Sequence, residues 1–457
     1  MDSRFPLKQV LSVAKVHPFY AKDVEYPPSP ESVRLILDNV SKDSSTSDTE
    51  IDLGLMPLTT KEDFITGGGS GGMPMLFATD AAENRKHRYA AGALIKTCGL
   101  IEPADLVLSL HTSGKLYRAL DLTTELIENA GGSVLCAGHA ISMEDAKQKM
   151  EHYRANVIAG DGSQVLQFAN YIASLPAEDR AGLNVTKVLY TSEPLTKDQR
   201  AVVCAALGQP RIVSLLGSAE AGPWAVANSE LTGEPDDDSM DFIFDTRMMN
   251  IEILPPSATD GLAQKPVDGS GADTDAPASR IQSLPDGETG IIVQTSLSRL
   301  RNPLIRYITG DVGSLHPFRS TKLLKSLDNP SDAQYLRILR LYGRDRRFSF
   351  EWFGEYFEFH TVNKLITESK GWGVIQWQLI LEKAESKETQ LEVRLYRSNV
   401  DDGQSLPNAA ISEALIKLFV VYEANDNLFK ITFVSGLDGF ERSSTAGKVM
   451  KFVDRTH

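Results

Sequence analysis

Cysteine is scarce in this chain: 457 residues carry three, Cys98, Cys136 and Cys204. They are dispersed, each in an apolar context, which excludes a disulfide framework and points to buried thiols in a reducing compartment, the cytoplasm. Long hydrophobic runs are also missing. No stretch approaches the roughly 18 uninterrupted apolar residues of a membrane-crossing helix. The opening MDSRFPLKQVLSVAKVHPFY has neither a continuous apolar run nor a small-residue cleavage site, so no secretory signal is expected. Positive charge is in deficit, with 47 Lys and Arg against 61 Asp and Glu and a net charge of −14. That balance argues against nucleic acid or a membrane surface as the main partner. It leaves room for a small anionic ligand held by local glycine and arginine sites.

What is present is an ordinary globular balance, 42% hydrophobic and 24% charged, in a chain long enough for two or three domains. Residues 1–60 read as an irregular lead-in, with the polar DSSTSDTE (43–50) as a mobile loop. Next comes the densest glycine run, TGGGSGGMP, from Thr66 to Pro74. Such backbone can turn several N–H groups inward around phosphate oxygens, with Ser70 adding a hydroxyl; it can also be a plain flexible linker. Its setting favours the first use, because folded chain continues on both sides, with Asp80 and Glu83 as a capping pair for the following helix.

From about residue 76, short apolar runs alternate with helical stretches. DLVLSLHT (105–112), SVLCAG (133–138), NVIAG (156–160) and KVLYTS (187–192) suit buried strands. LTTELIENAGG, SMEDAKQKMEHYRA and KDQRAVVCAALG lie between or after them as helices. The alternation predicts an α/β fold with a mainly parallel sheet and flanking helices. Ligands of such sheets bind beyond the carboxyl ends of the strands, so chemistry is expected in HTSGK, TSEPL and LLGSAEAGPW. Residues 240–312 read as an antiparallel subdomain, interrupted at 257–280 by a stretch with almost no large apolar side chain, expected to be a disordered surface insertion. Past residue 345, VIQWQLILEK, QLEVRLYRS and FKITFVSG, with a helix over 408–422, predict a small α+β domain with one sheet face covered. The expected division is a large domain over 1–344 and a small one over 345–457.

Further points carry possible chemistry, each with a plainer use. Glu220 sits in a small-residue turn after an apolar strand, where a carboxylate is a solvated charge or an oxygen ligand for Mg²⁺. Asp311, after Gly310 in RYITGDVGSL, is a turn former or an acceptor for ribose hydroxyls. Arg344 in LYGRDRRF marks the domain boundary, and Lys448 in SSTAGKVMKFVD lies in a glycine-containing loop near the end.

In order and spacing these segments resemble the adenylate-forming superfamily of acyl-CoA synthetases, adenylation domains and luciferases, nearest its phenylacetate–CoA ligase branch. PLTTKEDF resembles that branch's lead-in, TGGGSGGMP its phosphate loop, and TSEPLT its G-A-E-P-like turn. GSAEAGPWAVAN, IRYITGDVGSL and TAGKVMKFVD resemble its G-L-S-E-x-x-G-P, R-Y-R-T-G-D and terminal E-G-K segments; the likeness runs over about 57–457. The resemblance implies that ATP activates a small, compact or aryl carboxylic acid as an acyl-adenylate with release of pyrophosphate. An amine, a carrier-protein thiol or CoA then displaces AMP. A non-catalytic nucleotide-binding protein of the same fold is the alternative.

Carried over by the same resemblance, Gly69, Ser70, Gly71 and Gly72 would cradle the β and γ phosphates. Ser192, Glu193 and Pro194, with Gly217 and Ser218, would line the nucleotide; Glu220 would hold Mg²⁺; Asp311 and Arg344 would face the ribose. Lys448 would bridge the carboxylate and the charge developing at phosphorus, delivered by a small domain that rotates away for the second step. The acid pocket would be lined from the 111–120 loop and the 138–141 and 190–196 turns. The chain departs from the pattern in several places. Met73 stands where the phosphate loop usually carries Lys, Leu216 where an aromatic packs on adenine, and Arg346 where a hinge acid is usual. Phe353, beside Gly354, aligns near the glycine that lets pantetheine pass, which weighs against CoA. SLHPFRSTKLLKS lacks the cysteines of a structural zinc site.

Overall fold

A computed structural model describes residues 5–15, 17, 81–114, 118–192, 195, 197–233, 239–259, 281–319, 327, 329–345, 349–369, 371–384, 388–397, 406–442 and 449–456. The chain divides into two compact units, with the junction between Gly343 and Arg344.

In the first unit, β1 (Leu106–Ser109), β2 (Ser133–Cys136), β3 (Val157–Asp161), β4 (Lys187–Thr191) and β5 (Arg211–Ser218) pair in parallel in the order β2-β1-β3-β4-β5. Successive side chains of a strand face opposite ways, and both faces are covered. Val107, Val157 and Leu189 pack with Leu94 and Ile95 of the helix Ala81–Thr97 and Leu126 and Ile127 of Ala119–Asn129. Their neighbours Leu108, Ile158 and Val188 pack with Met150, Phe168 and Ile172 from Met143–Tyr153 and Gly162–Ser174. That two-sided burial is why these strands read as unbroken apolar runs.

The antiparallel strands extend the same sheet. β6 (Gly222–Asn228), β7 (Met240–Asp245), β8 (Met249–Leu254), β9 (Gly290–Ser296), β10 (Tyr307–Pro317) and β11 (Leu336–Arg344) continue it as β5-β6-β7-β11-β10-β9-β8, eleven strands among the described residues. The parallel and antiparallel halves therefore share one backbone ladder across the β5–β6 pair.

The second unit holds β14 (Val374–Lys383), β15 (Thr389–Arg397), β16 (Phe429–Val434) and β17 (Phe452–Arg455) in the order β16-β15-β14-β17, beside a hairpin of β12 (Ser349–Trp352) and β13 (Glu355–Glu358). Trp377, Leu379 and Leu381 of β14 pack with Val362, Ile366, Ile411 and Leu415 from the helices Phe359–Glu368 and Asn408–Leu418. The alternate positions Gln378 and Ile380 are fully buried as well, so the second sheet face is also covered there. The helix expected over 408–422 ends at Leu418; Val420 has φ 52°, left-handed backbone that a helix cannot continue through.

The lead-in is not wholly irregular. Leu7–Ala14 is a helix whose Val10, Leu11, Val13 and Ala14 are buried with Leu300 and Ile305. The polar 43–50 stretch lies outside the described residues, as do 260–280 of the insertion, whereas Pro256–Thr259 forms a 3-10 turn with Thr259 buried. Nor are the thiols uniformly buried: Cys98 is, but Cys204 is half-buried and Cys136 exposed, because β2 is an edge strand. No helix among the described residues is long and apolar enough to cross a membrane.

Candidate active site at the carboxyl ends of the strands

Hydrogen bonds join the carboxyl ends of β1, β3 and β4. His111, two residues beyond β1 and 1% exposed, lies with Nδ1 3.0 Å from Ser109 Oγ and Nε2 3.0 Å from Thr191 Oγ1. Asp161, ending β3, caps the next helix in a reciprocal box with Gln164. Its Oδ1 also accepts from Ser192 Oγ at 3.2 Å. Burial lowers the His111 pKa to about 4, so the ring is neutral at neutral pH. Ser192 has φ 68°, a left-handed turn directly after β4. Glu193 and Pro194, its expected companions, lie outside the described residues.

On the neighbouring strand, β5 ends at Ser218 and the chain reverses into β6. Ser218 Oγ accepts the Ala221 amide at 3.2 Å, tightening the turn that carries Glu220. A Cβ on Gly217 would stand 2.7 Å from the Gly222 carbonyl oxygen, so the reversal needs glycine there. Gly217, Ser218, Glu220 and Ser192 thus occupy the carboxyl ends of two adjacent parallel strands. Leu216 is half-buried on β5, paired with Ala225.

Asp311 lies on β10, with β6, β7 and β11 between it and β5. The pairing with β9 slips here: Ile308 faces Val293 and Val312 faces Ile291, so three residues oppose one. Gly310 at φ 78° makes this bulge, and Thr309 Oγ1 accepts the Asp311 amide at 3.0 Å. The T-G-D sequence is therefore a bulge in a strand, with Asp311 taken out of the regular ladder. Arg344 ends β11, its guanidinium 5.4 Å from the centre of the Tyr356 ring. Gly69, Ser70, Gly71, Gly72, Met73, Arg346 and Lys448 lie outside the described residues.

Two side chains that the sequence did not single out lie against the Glu220 turn. His87, from Ala81–Thr97, donates through Nε2 to the Pro223 carbonyl at 2.9 Å. Arg299, just past β9, reaches the same turn: a Cβ on Gly222 would stand 2.3 Å from His87 Cε1 and 2.6 Å from Arg299 Nη2. Glu83, expected as a capping residue, is buried and accepts the Leu300 and Arg301 amides at 2.9 and 3.2 Å, fixing the loop that presents Arg299. Among the described residues no group of three or more His, Cys, Asp or Glu could hold a metal.

Solved structures share this architecture. A 2-hydroxyisobutyryl-CoA ligase, in complex with 2-HIB-AMP and CoA in the thioesterification state, superposes with a TM-score of 0.59 at 16% identity, covering 98% of this chain and 89% of the ligase. The chain has the fold of the adenylate-forming enzymes. An open conformation of the same ligase, also with 2-HIB-AMP and CoA, matches at a TM-score of 0.52 and 16% identity, covering 98% of this chain and 90% of that one. Known protein families and curated proteins gave no match. At this identity the adenylate-forming fold is what the likeness carries. It arranges the β4 and β5 ends, the β10 bulge and a small second unit in one chain.

Proposed function

We propose that this chain is an ATP-dependent ligase that activates a small carboxylic acid as its adenylate. The observation that carries the reading is the adenylate-forming fold over nearly the whole chain, with the motif residues at strand ends and in a strand bulge. In the first step a carboxylate oxygen bonds to the α-phosphorus of ATP as the bond to the β-phosphate oxygen breaks and pyrophosphate leaves. In the second, a nucleophile attacks the acyl carbon and AMP departs with the bridging oxygen. Gly69, Ser70, Gly71 and Gly72 hold the leaving phosphates by amide and hydroxyl donors. Ser192, Glu193, Pro194, Gly217 and Ser218 line the nucleotide, and Asp311 and Arg344 bind the ribose. Lys448 is the catalytic cation for the first step, a compact charge suited to an oxyanion that develops in the transition state.

Glu220 is one half-buried carboxylate without partner ligands among the described residues. That donor set fits Mg²⁺ only as a hard cation whose other positions are filled by phosphate and water oxygens. Bound there, the ion would neutralise phosphate charge. The acceptor is an amine, a carrier-protein thiol or CoA.

Pyrophosphate release over a panel of carboxylic acids, in the parent and in Lys448→Ala, tests the reading. An active acid whose turnover falls about 10²-fold or more in the variant is the expected result. Release unchanged by the substitution removes Lys448 from the chemistry. No release with any acid, alongside ordinary ATP binding, leaves a non-catalytic nucleotide-binding protein.

A further inference from the structure

A cation lies buried against the turn that carries Glu220, and among the described residues no carboxylate is bonded to it. Arg299 is 6% exposed, and its Nε is enclosed with no hydrogen-bond partner. A buried guanidinium is costly unless it is paired, so the position asks for an anion. Burial is the largest influence on Arg299 and lowers its pKa. Glu83 and Glu220 oppose that through space rather than through hydrogen bonds, and Arg88 adds to it.

Glu83 offsets part of the Arg299 charge through space, but its Oε2 accepts two backbone amides, from Leu300 and Arg301. Arg88 is held by Asp121 at 3.0 Å and Glu125 at 2.6 Å. His87 adds no charge: burial, then the Arg299 and Arg88 cations, outweigh its bond to Pro223 and lower its pKa to about 3.

The loop is built to hold this side chain in place. The helix Leu7–Ala14 covers Leu300 and Ile305, and His17 Nε2 donates to the Arg301 carbonyl at 2.7 Å. Gly222, at φ 71° and without a side chain, lets Nη2 come directly against the turn. A charge balance with Glu83 alone would not need Gly222 to admit Nη2 against the 218–222 segment.

We propose that Arg299 is an oxyanion-binding residue of the active site, its guanidinium taking an oxygen of the nucleotide phosphates or of the substrate carboxylate beside Glu220. This rests on the adenylation reading above. A planar, permanently charged fork suits either oxyanion. It also places a fixed positive charge near Glu220 independently of the glycine loop.

Calorimetry with ATP and with pyrophosphate, and the KM for the best acid at saturating ATP, are compared among the parent, Arg299→Met and Arg299→Lys. If a phosphate is the ligand, Arg299→Met weakens ATP and pyrophosphate binding by about tenfold or more. If the carboxylate is the ligand, ATP affinity holds and the KM for the acid rises about tenfold or more. Partial recovery in Arg299→Lys marks a charge effect, which a packing role would not produce. A folded Arg299→Met with both constants within about twofold of the parent overturns the assignment. Should that variant fail to fold, Arg299→Lys carries the same criterion, since it keeps the charge and loses the fork. Failure of the adenylation reading is a different result: the parent releases no pyrophosphate with any acid, while calorimetry still shows whether anion binding depends on Arg299.

Discussion

Gln378 and Glu441 are joined by two hydrogen bonds: Gln378 Nε2 donates to the Glu441 carbonyl at 3.0 Å, and the Glu441 amide donates to Gln378 Oε1 at 3.1 Å. Nε2 also donates to the Met450 carbonyl at 2.7 Å, and an isolated bridge pairs Arg442 with Val449. One fully buried amide on β14 therefore fastens both flanks of residues 443–448, the stretch that ends on Lys448.

Gln378→Leu keeps the volume and removes all three bonds. The Glu441 amide and the Met450 carbonyl then lose this partner, while the Glu441 carbonyl keeps the Met450 amide, at a cost of about 1–3 kcal/mol in unfolding free energy. Hydrogen exchange at the Glu441 amide should quicken in the same variant. If Lys448 acts as proposed, pyrophosphate release falls by more than the loss of folded protein explains. Unchanged exchange at Glu441 would show that this amide does not hold the flanks.

Three buried histidines make the first unit acid-sensitive. Burial lowers the pKa of His17 to about 4, of His87 to about 3 and of His111 to about 4. Each folded value lies below the ordinary 6.5, so the unfolded chain takes up protons first as pH falls. Stability from these groups is fully present above about pH 6.5 and is lost as pH falls towards 4. For His111 the full difference is on the order of 3 kcal/mol. Melting temperature followed from pH 7.5 to 4.5 should drop more steeply for the parent than for His111→Gln. Parallel curves would mean that the ring is already charged in the folded protein.

How much of this was legible follows from how far each residue's partners lie along the chain. The strands β1, β3 and β4 announced themselves because both faces are buried, and the T-G-D and small-residue turns because glycine marks special backbone. Arg299 and His87 left no such mark. His87 bonds to Pro223, 136 residues away, and Glu83 to Leu300, 217 residues away, so only the folded sheet brings them together. Glu83 sits in the first turn of its helix, where a capping role is the natural reading, yet its carboxylate serves the distant loop. The helix Leu7–Ala14 did carry a signal, with Leu7, Val10, Leu11 and Ala14 at helical spacing, but it is eight residues long. The exposure of Cys136 depends on strand order, which no local pattern encodes.

We expect the choice of acceptor to turn on Phe353. It and Gly354 are the two residues between β12 and β13, at φ 52° and 80°, the positive pair of a tight hairpin turn. A phenyl side chain is strained in left-handed backbone, by about 1–2 kcal/mol, and such strain tends to persist where a side chain is used. The ring is 40% exposed, with its centre 6.0 Å from that of Tyr422 and 6.1 Å from that of Trp352. Gly354, in contrast, has open space where a Cβ would be. The two residues expected to stand where acyl-CoA synthetases carry a passage glycine are thus adjacent turn residues, one bulky and one with open space at its Cβ position. We expect free CoA to be a poor acceptor for the parent, because an aromatic ring cannot share a narrow pantetheine channel without rotating aside. Phe353→Gly should relieve the backbone strain and raise thioester formation with CoA, while amine or carrier-protein transfer changes little. The assay supplies the best acid with ATP and compares AMP formation with CoA, a carrier protein and small amines. Saturable thioester formation by the parent would show that the ring does not close the path.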